Sequence, residues 1–262
     1  MRNIIKYPRT PHISGSRLQK GDEDLKRIPF ETLKGKHLVI EEKLDGANCG
    51  LSFQTDGSLF LQSRGHYLTG GYRERHFALL KTWAGAFASP LFSVLGNRYV
   101  LYGEWLYAKH TVYYDALPHY FFEFDIWDCE KEMFLDTHRR REMLEPLPFV
   151  HSVPVLYEGA LDDIEQLSSY VGKSLYRTEN WRENLQINCE SKGLSYERAL
   201  EQTDDSDLSE GLYIKHEENG EVLGRYKFVR NEFVAQILSN DDHWLDRPII
   251  PNELKGGQTL WI

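Results

Sequence analysis

The chain has 262 residues, a formal net charge of −9 at pH 7, and 41% hydrophobic and 27% charged residues. This composition is ordinary for a globular protein with a hydrophobic core, and the length allows one large domain or a domain with a small appendage. The negative charge argues against a protein that coats nucleic acid non-specifically. It leaves room for a local basic groove, because phosphate contacts depend on nearby lysine and arginine side chains.

The cysteines and the first residues indicate the compartment. Cys49, Cys129 and Cys189 have no paired spacing, which predicts neither a disulfide framework nor a zinc knuckle. The N-terminal sequence lacks the apolar core of a signal peptide, and no apolar run reaches the length of a membrane span. We therefore expect a soluble, cytoplasmic protein with no membrane partner.

In chain order, the sequence predicts a polar N-terminal segment, a mixed core and a short tail. Residues 1–36 carry several prolines and glycines and should pack on the core. Strand patterns follow at residues 37–40, 51–53, 58–64, 98–106, 120–127, 211–215 and 222–228, and helical patterns at 73–95, 137–147 and much of 161–203. Because no regular βαβ rhythm appears, the fold class is α+β, with a core domain at 37–235 and a tail at 236–262.

Lys43 lies in the motif Glu42-Lys43-Leu44-Asp45-Gly46, between a strand and a turn. A lysine amine is protonated and inert near its ordinary pKa, and it becomes a nucleophile only when it is desolvated or placed near other cations. The alternative is a solvated lysine before a turn-forming Asp-Gly pair. The motif alone leaves both interpretations open.

Charged residues recur on strands that are otherwise apolar. Glu104, Asp125 and Glu210 are carboxylates that need a cation, a metal or hydrogen-bond donors if they are buried. Arg64, Lys215 and Lys227 are cations in similar positions. Simple pairing at the rim of a sheet is one explanation. The other is a cationic cluster with a carboxylate-held Mg²⁺ around Lys43, which suits attack on a nucleotide phosphate.

The last predicted hairpin, around Asn219-Gly220, tests whether Lys215 and Lys227 act together. A two-residue loop in a regular hairpin would place the two lysines on opposite faces of the sheet. A three-residue loop, from Glu218 to Gly220, would place them on one face. We predict the three-residue loop.

The order of these motifs resembles that of the covalent nucleotidyltransferases, and most of all the nick-sealing (type 2) branch of the ATP-dependent RNA ligase family. The resemblance extends from Lys43 to about Arg230. It implies a nucleotidyltransferase (ATP-grasp-like) fold of antiparallel sheets with flanking helices. It also implies ATP and Mg²⁺ (or Mn²⁺) as cofactors.

The resemblance assigns a role to each motif. Lys43 would be adenylylated, and Glu42 beside it would help to bind the nucleotide. Asn48, Arg64 and Glu104 would contact the phosphates or the ribose, and Phe124 would stack on adenine. Glu210 and Asp45 would hold the metal, while Lys215, Arg225 and Lys227 would contact phosphate. Arginine stands at 225 where the family usually has lysine, so the resemblance does not assign separate roles to Arg225 and Lys227.

The implied reaction seals RNA in three steps. Lys43 attacks ATP and forms lysyl-AMP, AMP passes to a 5′-phosphate, and a 3′-hydroxyl displaces AMP. We expect nicked duplex RNA as the substrate, in RNA repair.

Because only 35 residues follow Lys227, we expect no C-terminal OB-fold, and a protein partner could supply substrate binding. A DNA ligase, a GTP-dependent capping enzyme core and a non-catalytic nucleic-acid-binding module remain the alternatives. Residues 6–17 could bind a strand end or form a structural wrap.

Overall fold

The computed structural model describes residues 3–18, 22, 24–238 and 248–261. The strands in chain order are β1 (His12–Ile13), β2 (Arg27–Ile28), β3 (Leu38–Lys43), β4 (Ala47–Phe53), β5 (Leu59–Ser63), β6 (Tyr99–Trp105), β7 (Phe121–Asp128), β8 (Met133–Phe134), β9 (His151–Ser152), β10 (Val155–Gly159), β11 (Gly211–Glu218) and β12 (Glu221–Val229). The α-helices are α1 (Ala78–Ala86), α2 (Ala88–Leu95), α3 (Thr137–Leu144), α4 (Ile164–Ser169), α5 (Trp181–Ser191), α6 (Tyr196–Glu201) and α7 (Asn231–Leu238). The predicted α+β class is confirmed.

The strands form two sheets that pack against each other. Sheet 1 has the order β10-β3-β11-β12-β1-β2, and sheet 2 has the order β5-β4-β6-β7-β8, with β9 also paired to β7. Pairing is antiparallel except where β1 meets β12 and β2, and where β9 meets β7. The chain passes from sheet 1 to sheet 2 between β3 and β4, directly after Lys43.

Alternation along the strands of sheet 1 separates a polar face from an apolar face. Leu38, Ile40, Leu212 and Ile214 point away from sheet 2 and form a small core with the segment around Phe30 and with α4. The odd-numbered residues of β3 and β11 point toward sheet 2 and include Glu41, Lys43, Tyr213 and Lys215. The main hydrophobic core lies on sheet 2, where Trp83 of α1 stacks on Phe121. The space between the sheets is therefore rich in polar groups.

The structure differs from the predicted elements in three respects. The helix expected at 73–95 is broken at Phe87, and its two parts are bent by 74°. Pro90 explains the break, because in a continuous helix its ring would clash with the carbonyl of Ala86. Strands β8, β9 and β10 were not predicted. The N-terminal segment is not wholly loop, since β1 and β2 extend sheet 1.

The hairpin prediction was wrong about the loop and right about the faces. The loop has two residues, Asn219 and Gly220, both at positive φ (55° and 88°), as a tight hairpin turn requires. A bulge at Leu223 then shifts the register, so Lys215 pairs with Arg225. Because residues two apart on a strand share a face, Lys215 and Lys227 lie on the same face after all.

The predicted tail, residues 236–262, lies partly outside the described residues. Its residues 236–238 are the end of α7, so this helix crosses the predicted boundary, and residues 248–261 cross the loop between β6 and β7. The Asn252 side chain accepts a bond from the Tyr114 amide at 2.9 Å and donates to the Leu106 carbonyl at 2.7 Å. Within the described ranges, no single helix is long and apolar enough to cross a membrane, and the bent pair Glu74–Ala86 and Ala88–Leu95 meets that test only by length and composition.

Candidate active site

Lys43 lies at the end of β3, where the chain leaves sheet 1. Its amine donates to Glu210 Oε2 at 2.8 Å, and its side chain is 22% exposed while that of Glu210 is 2% exposed. Burial alone would lower the pKa of Lys43, but the charges of Glu210 and Glu104 outweigh it and raise the pKa above its usual value. Lys43 is therefore protonated in this state, and it needs a change in its surroundings to become a nucleophile.

The turn after Lys43 is held in place by close packing. A side chain at Gly46 would lie 2.5 Å from Leu106 Cδ2 and 2.7 Å from the Trp105 carbonyl, so only glycine fits. Asp45 Oδ2 accepts the backbone amides of Thr111 and Val112 at 2.6 and 2.7 Å. Asp45 thus fixes the loop after β6, a structural role that the sequence did not indicate for this predicted metal ligand.

Sheet 2 contributes a second group of polar residues to the Lys43 environment. Asn48 of β4 and Glu104 of β6 are directly paired and face the same side. Burial raises the pKa of Glu104 to about 7, although the charges of Lys43 and Arg64 oppose this rise. Asn48 Oδ1 is buried and has no hydrogen-bond partner among the described residues. Arg64 is an exposed residue just after β5. The positive charges of Lys43 and Arg64 both act on Glu104.

Lys227 of β12, two strands away from β3 in sheet 1, completes the cluster. Burial lowers the pKa of Lys227, and the positive charge of Lys43 lowers it further. The Lys227 amine donates to Asp22, a residue of the N-terminal segment. The positive charge of Lys227 also favours the ionised form of Glu210. The charges of Lys43, Glu210 and Lys227 therefore influence one another.

Phe124 forms part of an aromatic pocket beside this cluster. A bulge in the pairing of β6 with β7 lets consecutive residues Phe124 and Asp125 both contact the space between the sheets. The Phe124 ring lies 6.3 Å from that of Tyr213 and 5.1 Å from that of Tyr7. The Tyr7 hydroxyl donates to Asp125 and bonds the Tyr213 hydroxyl. Tyr7 thus joins the two sheets at this pocket.

Lys215 lies in a different environment from the one that its predicted phosphate contact requires. Its side chain is fully buried, and its amine bonds Glu41 at 3.0 Å and the Phe124 carbonyl. Arg140 of α3 bonds the same Glu41 at 3.0 Å and also Glu123. Buried charges need such pairing. Lys215 therefore belongs to an ionic network that joins the sheets, away from solvent.

Two other predicted nucleotide contacts have other partners in the structure. Glu42 faces the opposite side of β3 from Lys43, because neighbouring residues on a strand alternate between faces, and it accepts from Ser174 Oγ at 2.6 Å and the Leu175 amide at 3.2 Å. Arg225 shares the face of Lys215 and Lys227, but its guanidinium lies 3.7 Å from the centre of the Phe134 ring and 5.6 Å from that of Tyr7.

The donor set partly fits a divalent cation. Across the described parts of the chain, no three His, Cys, Asp or Glu side chains are grouped to hold a metal ion. Mg²⁺, however, commonly uses one or two protein carboxylates and keeps several waters beside substrate phosphates. Glu210 and Glu104 supply two carboxylates near Lys43, whereas Asp45 already has one oxygen bonded to two amides.

Sequence reasoning missed several residues of this region. Tyr7 and Asp22 approach from the N-terminal segment, and Glu41, Glu123 and Arg140 form the buried network. The available signals were Glu41 and Glu123, charged residues inside the apolar runs of β3 and β7. The other positions depend on long-range contacts, such as Asp22 with Lys227, which local patterns do not encode.

A family model described as RNA ligase matches residues 36–229. This range is well over half of the chain, so the protein belongs to the RNA ligase family. A search of curated proteins gives no match.

The solved structures that match include several of Naegleria gruberi RNA ligase. One lysine-to-alanine variant with ATP and Mn has 20% identity and a TM-score of 0.51, covering 79% of this chain and 53% of that one. A glutamate-to-alanine variant with ATP and Mn has 18% identity and a TM-score of 0.55, covering 92% and 60%. The structure of the same enzyme with pyrophosphate has 18% identity and a TM-score of 0.54, and the match covers 92% of this chain and 60% of that one. The likeness establishes the fold, and the chain spans between half and two thirds of the length of these relatives.

Proposed function

We propose that this protein is an ATP-dependent RNA ligase whose nucleophile is Lys43. The observation that carries the proposal is the placement of the Lys43 amine in a chain of the RNA ligase family. The amine lies 2.8 Å from Glu210, and the charges of Glu104 and Lys227 interact with it. In the first step the Lys43 ammonium gives one proton to solvent, and the neutral nitrogen bonds to the α-phosphorus of ATP. The bond from that phosphorus to the oxygen bridging to the β-phosphate breaks, pyrophosphate leaves, and the nitrogen releases a second proton to solvent.

ATP is the proposed nucleotide because two of the matched Naegleria ligase structures contain ATP with Mn. The neighbouring rings of Phe124 and Tyr213 are the aromatic surface proposed for the base, because flat rings stack well on such surfaces. Lys227 supplies a positive charge for the phosphates. Asn48, with its unused buried oxygen, supplies an amide that can donate or accept.

A divalent cation would be held by Glu210 and Glu104 and by the phosphates. When bound, it supplies positive charge to the phosphates in the transition state. Glu210 and Glu104 also act on Lys43 directly, because their negative charges are what raise its pKa. Pairing these carboxylates with any added positive charge removes this effect and favours the neutral, nucleophilic amine.

The second and third proposed steps transfer AMP from Lys43 to a 5′-phosphate and then seal the strand through a 3′-hydroxyl. Nicked duplex RNA and a role in RNA repair are part of the proposal, as is a partner that supplies further substrate contacts. Cytoplasmic location remains a sequence-based expectation. Family membership favours RNA over DNA as the joined strand.

The test is transfer of α-labelled ATP or GTP to the protein with Mg²⁺ or Mn²⁺, followed by denaturing electrophoresis. We expect label from ATP on the wild-type protein and at least about a thousandfold less on Lys43→Ala, because the variant has no amine to attack. Lys34→Ala, which removes an exposed lysine, is the matched control and should label normally. Labelling by GTP alone would favour a capping enzyme, and no labelling with either nucleotide would favour a binding module.

Sealing assays then test the strand. The labelled protein should join nicked RNA duplexes faster than nicked DNA duplexes of the same sequence. Faster joining of DNA would contradict the RNA ligase proposal while leaving Lys43 as the nucleophile.

A further inference from the structure

The N-terminal segment lies outside the range that matches the RNA ligase family, which begins at residue 36. It nevertheless runs along the strand that carries Lys227. β1 pairs in parallel with β12, with His12 opposite Lys227, and the Lys227 amide donates to the Pro11 carbonyl at 3.0 Å. The backbone of the segment is thus fixed beside this lysine.

Asp22 is the residue of this segment that reaches the Lys227 side chain. Its carboxylate accepts from the Lys227 amine, and it contacts His12 Nε2 at 3.2 Å and Arg9 at 3.3 Å. The side chains of Asp22 and Lys227 are only 12% and 10% exposed. Burial alone would raise the pKa of Asp22, but the bonds from His12 and Lys227 outweigh it and hold the pKa well below its usual range.

A chain of hydrogen bonds holds the Asp22 carboxylate in place. His12 is fully buried, and its Nδ1 atom bonds Ser16 Oγ at 2.7 Å. Ser16 Oγ in turn accepts the Val229 amide at 2.8 Å. Asp22 is therefore tied through two side chains to β12, the same strand that carries Lys227.

We propose that Asp22 is a positioning residue for nucleotidyl transfer, which holds the Lys227 ammonium where it meets the nucleotide phosphates. The inference rests on the proposed function. An ammonium has three donors, so one bond to Asp22 leaves two for phosphate oxygens. Holding the flexible lysine side chain before ATP binds also removes an entropic cost at the moment of reaction.

The charges around Lys227 indicate that Asp22 assists its contact with phosphate and does not compete with phosphate for it. Lys227 is buried beside Lys43, and both conditions disfavour its charged form. Asp22 is the carboxylate that bonds it, while Glu210 acts only through its charge. Without Asp22, Lys227 would be repelled by Lys43 and free to turn away. A carboxylate that competed with phosphate for Lys227 would have the opposite effect on the reaction.

Asp22→Asn is the direct test, and Asp24→Asn is its matched control. Asp24 lies two residues away and bonds the same Arg9 at 2.7 and 2.8 Å, but its side chain is 71% exposed. In single-turnover labelling with α-labelled ATP, we expect Asp22→Asn to react ten- to a hundredfold more slowly, even at saturating ATP, since misplacement of a contact by about 1 Å costs about a hundredfold. Asp24→Asn should stay within about twofold.

A second readout needs no nucleotide and separates positioning from a loss of fold. Reaction of each lysine with an amine-directed reagent is measured by mass spectrometry on the protein alone. Without the Asp22 charge, the pKa of Lys227 falls and its neutral fraction rises, so Lys227 should react several-fold faster in Asp22→Asn. The exposed Lys34 should react at the same rate in every variant, and Asp22→Glu, which keeps the charge, should restore slow reaction at Lys227.

Two results would overturn the inference. Labelling that is faster, or that needs less ATP, in Asp22→Asn would make Asp22 a competitor of phosphate. Unchanged labelling and unchanged Lys227 reactivity in a folded Asp22→Asn protein would leave it without a role. Failure of the wild-type protein to label is a different outcome, which would contradict the proposed function itself.

Discussion

Two clusters of lysine and carboxylate side chains lie between the sheets, and they differ mainly in access to solvent. Lys215 is 0% exposed and shares Glu41 with Arg140. Lys43 is 22% exposed and bonds Glu210. In the first cluster the charged groups are bonded to one another and buried, whereas in the second the lysine is partly open to solvent. Burial raises the pKa of carboxylates in both clusters. Residue type alone therefore does not separate a structural lysine from a reactive one.

The largest expected effect on the difference between the two clusters comes from removal of the buried lysine, Lys215. Lys215→Met should reduce the free energy of unfolding by about 3 to 5 kcal/mol, because removal of one partner leaves Glu41 and Asp125 short of positive charge. Denaturant unfolding measures this loss. The exposed control Lys34→Met should change stability by less than about 0.5 kcal/mol. A Lys215→Met protein of normal stability that fails to label would instead return Lys215 to the phosphate contact that the sequence predicted.

Glu210→Gln sharpens the difference in reactivity between the two lysines. Removal of the Glu210 charge lowers the pKa of Lys43, and each unit raises the neutral fraction about tenfold. We expect Lys43 to react about tenfold faster with an amine-directed reagent at pH 8, while Lys215 stays unreactive. Glu179→Gln, at a side chain that is 92% exposed, is the control. Unchanged Lys43 reactivity would show that Glu210 does not set its protonation.

Glu104→Gln gives the smallest expected effect, and its sign depends on pH. The pKa of Glu104 in the folded protein is about 7 against a usual 4.5, so folding is penalised as pH rises from 4.5 to 7 and the penalty persists above 7. The variant should be more stable than wild type by about 1 kcal/mol at pH 8, after allowance for partial exposure, and equal to it at pH 4. Thermal unfolding at both pH values checks this, and lower stability at pH 8 would contradict it.

Most of the fold followed from local patterns, and the errors came from long-range contacts. The hairpin at Asp56-Gly57 and the strands around Lys43 and Glu104 appear where alternation predicted them. Strands β1 and β2 have two residues each and exist only because His12 meets Lys227, far away in sequence. The bulge at Leu223 likewise restored the shared face of Lys215 and Lys227 that the wrong loop length had suggested.

For the site, the motif residues predicted proximity better than orientation. The sequence motifs brought Lys43, Glu104, Glu210 and Lys227 together, and the structure places them in one cluster. Glu42 and Lys215 share those motifs, but strand alternation and burial direct them to Ser174 and Glu41. Orientation at a strand end and depth between two sheets depend on packing, which a single sequence does not display.

The chain leaves sheet 1 for sheet 2 immediately after Lys43, so the amine receives Glu210 from one sheet and Glu104 from the other. A chain in which only one of the two sheets had formed would leave an ordinary solvated lysine at this position. The environment of the proposed nucleophile therefore exists only when both sheets are in place.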